Sequence, residues 1–149
     1  MGVTIQCKKT GRSIDLGYSG FFRLRRKVAE LQGGPFLDVF QEIFNPHSDA
    51  NEFTETTETP EQFDERMNLK IDSILSAKQA DIKVVDFLLQ PEVDGRIRYG
   101  ACKNILKVIK DYDDNILYGY CGRRDCAKFA DFRAILEDCV INKSDMVWS

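Results

Sequence analysis

The two ends of the chain constrain its fold most. Val3-Thr4-Ile5-Gln6-Cys7 alternates apolar and polar residues, Lys8-Lys9-Thr10-Gly11-Arg12 supplies a turn, and Ser13-Ile14-Asp15-Leu16 alternates again. A period of two sends every second side chain to one face, so this segment reads as a β-hairpin. The tail, Asp145-Met146-Val147-Trp148, is apolar and β-prone. It is expected to add a strand to the hairpin, which brings the two termini together.

Between the ends, helical spacing dominates and turn residues cut it into short pieces. Ser19 is placed to cap a helix on which Phe21, Leu24, Val28 and Leu31 recur, and Gly33-Gly34 stops it. Pro35 can open a second helix with Phe36, Val39, Phe40, Ile43 and Phe44 on one stripe. Thr59-Pro60-Glu61-Gln62 has the pattern of a capping box, followed by Phe63, Met67, Ile71 and Ile74 to about Lys78. Asp81 is placed to cap a short helix closed by Pro91, and residues 92–95 read as a turn. A further helix starts near Tyr99, residues 116–120 read as a short strand, and Asp125 is placed to cap a last helix. The expected fold is α+β and mainly α, an N-terminal β-hairpin with a small sheet packed on about five helices.

The chain has 149 residues, of which 43% are hydrophobic and 30% charged, enough for one domain over 1–149 with a real core. Residues 45–60 are polar, acidic and threonine-rich, and read as a flexible acidic loop. No segment approaches the roughly 18 to 20 apolar residues that cross a bilayer, and the N-terminal residues lack the apolar stretch of a secretory signal. A cytoplasmic protein without a membrane partner is expected. Five cysteines, an odd number in such a chain, read as reduced thiols in packing roles rather than a disulfide framework.

The net charge of −3 is unevenly distributed. Residues 1–44 carry seven Lys/Arg against four Asp/Glu, residues 45–81 three against nine, and residues 82–149 eleven against eleven. Bulk attraction to nucleic acid is therefore not expected, whereas a local anion site built from clustered arginines is compatible with the sequence.

Two segments support such a site. Ile14-Asp15-Leu16-Gly17-Tyr18-Ser19-Gly20 matches Ile116-Leu117-Tyr118-Gly119-Tyr120-Cys121-Gly122 at Ile, Gly, Tyr and Gly. Each reads as strand, turn and helix start, where unpaired N–H groups and the positive end of the helix dipole favour phosphate or carboxylate. Arg23, Arg25 and Arg26 follow the first and Arg123 and Arg124 the second, adding guanidinium forks. Tyr18 and Tyr120 offer faces for a base. A third cluster, Arg96-Ile97-Arg98-Tyr99-Gly100, repeats the basic, aromatic and glycine pattern. The candidate ligand-binding residues are thus Tyr18, Gly20, Arg23, Arg96, Arg98, Tyr120, Gly122, Arg123 and Arg124. The plainer reading is a set of ordinary strand-to-helix turns with solvated arginines.

Other chemistries fit less well. There is no GxxxxGK[ST] loop and no GxGxxG fingerprint. Cys121 and Cys126 have CxxxxC spacing and no nearby histidine, which argues against zinc, and Asp111–Asn115 starts like a calcium loop without its later glycine and glutamate. The only histidine, His47, falls in the acidic loop, so no Cys-His nucleophile is apparent.

The segments GYSGFFRLRRKVAEL and KDYDDNILYGYCGRRDCAKFADF resemble small bacteriophage and prophage proteins of Gram-positive bacteria. The resemblance implies an accessory or anti-defence role in the host cytoplasm. Together these readings give a non-enzymatic protein that needs no cofactor and sequesters a phosphorylated, nucleotide-like molecule. The alternative is a protein-protein inhibitor or structural phage protein that presents its acidic loop to a host defence protein. A metal-assisted nucleotide hydrolase is the minor alternative, and a homo-oligomer is compatible with all three.

Overall fold

Alternation at the N-terminus produces β1 (Val3–Cys7) and β2 (Ser13–Leu16), an antiparallel hairpin in which Val3 faces Leu16 and Gln6 faces Ser13. The computed structural model describes residues 3–44, 58–112 and 129–149. The expected strand at 116–120, the Asp125 cap and most of the acidic segment lie outside these residues. The C-terminal strand β4 (Met146–Trp148) pairs antiparallel with β1, so the chain ends meet.

One strand was not foreseen. Residues 95–97, read from sequence as part of a turn leading into a helix, form β3 (Gly95–Ile97) on the far side of β4. The antiparallel sheet has the order β2-β1-β4-β3. Three residues are too few for alternation to register; tertiary contacts make this strand. Gly95 lies under the Trp148 indole, where any Cβ would fall inside the ring. The Gln90 side chain pairs with the outward backbone of Arg96, accepting from its N–H at 2.9 Å and donating to its carbonyl at 2.7 Å. That side chain stands in for a missing neighbour strand and blocks the sheet edge.

Six helices are described: α1 (Tyr18–Gln32), α2 (Phe36–Phe44), α3 (Pro60–Ser76), α4 (Ile82–Leu89), α5 (Tyr99–Ile109) and α6 (Phe129–Asn142). The Thr59-Gln62 capping box is formed at both bonds, and Asp81 accepts from the amides of Lys83 and Val84. Ser19, by contrast, is not a cap. Extended Gly17 takes that place and its carbonyl accepts from Phe21 N–H at 2.8 Å, so the helix starts before Ser19. At the other end Gly33 and Gly34, at φ of 72° and 75°, turn the chain where a side chain would be strained.

Val3, Ile5, Cys7, Leu16, Ile97, Met146 and Trp148 form the sheet's buried face, and helices pack on it. Phe21, Phe87, Phe132 and Trp148 interlock at its centre, with Phe87 5.5 Å from Trp148 and 5.8 Å from Phe132. Truncating one such ring to alanine costs about 3–5 kcal/mol. On the periphery α3 packs against α2, and Arg66 of α3 pairs with Glu42 of α2 at 2.7 Å and with Glu58, just before α3, at 2.9 Å. No described helix is long and apolar enough to cross a membrane.

Candidate functional site

The register of the sheet decides which helix starts can cooperate. β2 leads into α1 at the Val3 end of one edge, whereas β3 leads into α5 at the Cys7 end of the opposite edge. Three strand spacings across and four residues along separate these corners by roughly 20 Å. Tyr18 is 41% exposed at the first corner, Gly20 is buried there, and Arg23 lies on the exposed side of α1. One small phosphate cannot sit on both helix starts. Tyr120, Gly122, Arg123 and Arg124 lie outside the described residues.

The arginines of α1 do not act as a group. Arg26 pairs with Glu30 at 3.3 Å. Arg25, grouped from sequence with the anion-binding arginines, is 2% exposed and points inward. Its guanidinium donates to the carbonyls of Leu88 at 3.3 Å, Gln90 at 2.6 Å and Pro91 at 3.2 Å, around the C-terminal end of α4. It also lies 4.1 Å from the Phe21 ring centroid and 5.5 Å from that of Trp148. Burial pulls its pKa down to about 10, with the charge of Glu92 opposing. Carbonyl dipoles and ring faces replace a carboxylate here, so no outside anion is needed.

Arg96 and Arg98 separate as well. Arg96 projects from the open face of the sheet and pairs with Asp145 at 2.6 Å. Arg98 instead lines an open cleft of about 780 Å³ between the first turns of α4 and α5, together with Ile82, Lys83, Asp86, Tyr99 and Gly100. Asp81 positions both walls. One of its oxygens accepts from Lys83 N–H at 2.8 Å at the start of α4, and the other from the Asn104 amide of α5 at 2.9 Å. Gly100 leaves room for the Lys83 ammonium, which would be only 3.1 Å from a Cβ at that position.

Electrostatically the cleft is unbalanced. Among the described residues neither Lys83 nor Arg98 has a carboxylate partner within ion-pair distance, whereas Arg12, Arg26, Lys27, Arg66, Lys70 and Arg96 do. No side chain caps the amide end of α5, where Arg98 is the N-cap residue. Cations at the positive end of a helix dipole are unfavourable by about 0.3–1 kcal/mol each, a cost that a bound anion reverses. The one carboxylate of the cleft, Asp86, accepts from Gln90 at 2.9 Å. Tyr99, 44% exposed, and Ile82, 66% exposed, add a flat apolar surface beside the cations.

Lys83 was missed in the sequence because nothing local marks it; the packing of α4 against α5, with the Asp81–Asn104 bond, brings it beside α5. Glu58, part of the acidic segment, is drawn back to Arg66, which holds its carboxyl below the ordinary range. Among the described residues no group of three or more His, Cys, Asp or Glu is arranged to hold a metal ion. The chain matches no family model, no curated protein and no solved structure.

Proposed function

We propose that the protein binds a small phosphorylated, nucleotide-like molecule in the cleft between α4 and α5. The supporting observation is the pair of uncompensated cations, Lys83 and Arg98, at the uncapped amide end of α5 beside exposed Tyr99. Phosphate would lie on the two cations and the first amides of α5, and a base would stack on Tyr99 against Ile82. The function is holding rather than turnover, since the groups around the cleft bind charge and an aromatic face, and its carboxylate is engaged by Gln90. With the phage-like context implied by the sequence, the role is sequestration of a host signalling nucleotide.

Thermal unfolding across a panel of linear and cyclic nucleotides tests this. A ligand at about 100 times its Kd adds about 2.7 kcal/mol, which for a chain of this size raises Tm by roughly 5–10 °C. Lys83→Ala with Arg98→Ala should abolish the shift, and the nucleotide should be recovered chemically unchanged. No shift with any nucleotide sinks the proposal. A shift that survives the double substitution moves the site away from this cleft, and release of a hydrolysed product replaces sequestration with catalysis.

A further inference from the structure

The two edges of the sheet are finished differently. At the β3 edge the Gln90 side chain occupies the outward N–H and carbonyl of Arg96. The β2 edge has no such cover among the described residues. Thr4 exchanges both backbone bonds with Ser149, so Thr4 and Gln6 turn toward β4 while Val3 and Ile5 turn toward β2. Antiparallel pairing alternates, so Ile14 and Leu16 bond to β1 and the N–H and carbonyl groups of Ser13 and Asp15 point outward. Among the described residues no backbone or side-chain hydrogen bond reaches these outward groups.

An open edge is a template for another strand, and proteins ordinarily blunt it with proline, lysine, a bulge or a covering element. β2 contains neither proline nor lysine. The irregularity of the hairpin sits in the turn, at Gly11 with φ of 78°, and leaves the strand straight. The one charge of β2, Asp15, is turned back along the sheet, where it accepts from the Thr4 hydroxyl at 2.7 Å. Ile14, on the helix side, is only partly covered by the core.

We propose that β2 pairs with β2 of a second copy of this chain, antiparallel about a two-fold axis through Ile14, so that one sheet runs through both copies. Only outward residues can exchange bonds, and this restricts the register. With Ser13 opposite itself, Asp15 faces Gly11, whose N–H already donates to the Cys7 carbonyl. With Asp15 opposite itself, two carboxylates oppose each other and Ser13 faces Gly17, whose carbonyl already accepts from Phe21. With Ser13 opposite Asp15, every outward donor and acceptor of both strands is used. The Ser13 hydroxyl then donates to the Asp15 oxygen that Thr4 leaves open. The two Ile14 residues meet at a Cα separation of about 4.5 Å and complete each other's burial. Such a contact is self-complementary and closes at two copies.

A strand of 4 residues cannot by itself supply the roughly 1,000 Å² of a stable interface, so the association is reversible and concentration-dependent. The cleft between α4 and α5 lies toward the opposite edge of the sheet, so pairing through β2 leaves it open in both copies. The pairing does not depend on nucleotide binding.

Sedimentation equilibrium of the full-length, reduced protein from micromolar to millimolar concentration is the test. Expected is an average mass that rises reversibly toward twice that of the monomer. Ser13→Pro removes an outward N–H but no hairpin bond, so the folded variant should stay monomeric over the same range. Should that variant fail to fold, Ile14→Cys gives a second reading. At the expected separation its thiols can bridge two copies, and mild oxidation should yield a covalent dimer whose linked peptide joins position 14 to itself. A monomer at every concentration, a dimer that folded Ser13→Pro retains, or an Ile14→Cys protein that forms no such link overturns the proposal.

Discussion

Arg25 and Arg98 are both arginines at helix ends, and the two ends have opposite polarity. Arg25 meets the carbonyl end of α4, where a cation is welcome, and is enclosed by Phe21, Phe87 and Trp148. Arg98 stands at the amide end of α5 with Lys83 beside it, where a cation is unwelcome until an anion arrives. One charge is satisfied by the fold and holds it together. The other is left unsatisfied, and such local conflict marks a surface shaped for something other than stability.

Breaking the satisfied charge should have the largest effect. Arg25→Ala leaves a cavity and bares the Leu88 and Gln90 carbonyls, for a loss of about 3–5 kcal/mol in urea unfolding. The Pro91 carbonyl keeps a donor in Trp148 Nε1 at 2.9 Å. Arg25→Met restores the packing without the donors and should remain about 2 kcal/mol less stable than wild type. A methionine variant of undiminished stability would show that the stem rather than the guanidinium secures α4.

Next comes the aromatic wall of the same site. Gly95→Ala drives a methyl into Trp148 and should cost about 3 kcal/mol, lower Tm by several degrees and shift tryptophan fluorescence. Unchanged fluorescence would contradict the packing of β3 under the indole. The unsatisfied charges predict the reverse pattern. Lys83→Ala with Arg98→Ala should change stability of the free protein by no more than about 0.5 kcal/mol while removing the ligand-dependent shift.

A third kind of cation gives the smallest effect. Arg66 is paired with carboxylates at the surface, and it holds Glu42 and Glu58 below their ordinary pKa of 4.5. A lowered folded-state pKa contributes stability that is fully present above pH 4.5 and disappears as pH falls through the lowered values. Arg66→Gln should therefore cost a little stability at pH 7, where the pairs are complete, and none at pH values below the lowered carboxyl range, so that the acid limb flattens. An acid limb as steep as wild type would mean that these pairs do not form in solution.

Elements with a local cause could be read directly. The hairpin shows in its alternation, α3 in the Thr59-Pro60-Gln62 start, α4 in the Asp81 cap, and the end of α1 in Gly33-Gly34. β3 could not, because its strand character comes from Trp148 and Gln90. The candidate site was only partly legible. Arg98 and Tyr99 stood in a recognisable basic-aromatic-glycine cluster, but Lys83 did not. Arg23, Arg25 and Arg26 look equivalent in a list of residues, although the helical turn sends one of them into the core.

By itself, then, the sequence determined an N-terminal hairpin joined by a C-terminal strand and a succession of amphipathic helices, with the caps of α3 and α4. Periodicity, glycine conformation and capping are properties of neighbouring residues. The tertiary structure alone decided which charges were satisfied and which helix starts shared a space. Those outcomes depend on sheet register and on contacts such as Arg25 with Pro91 and Asp81 with Asn104, which join residues far apart in the chain.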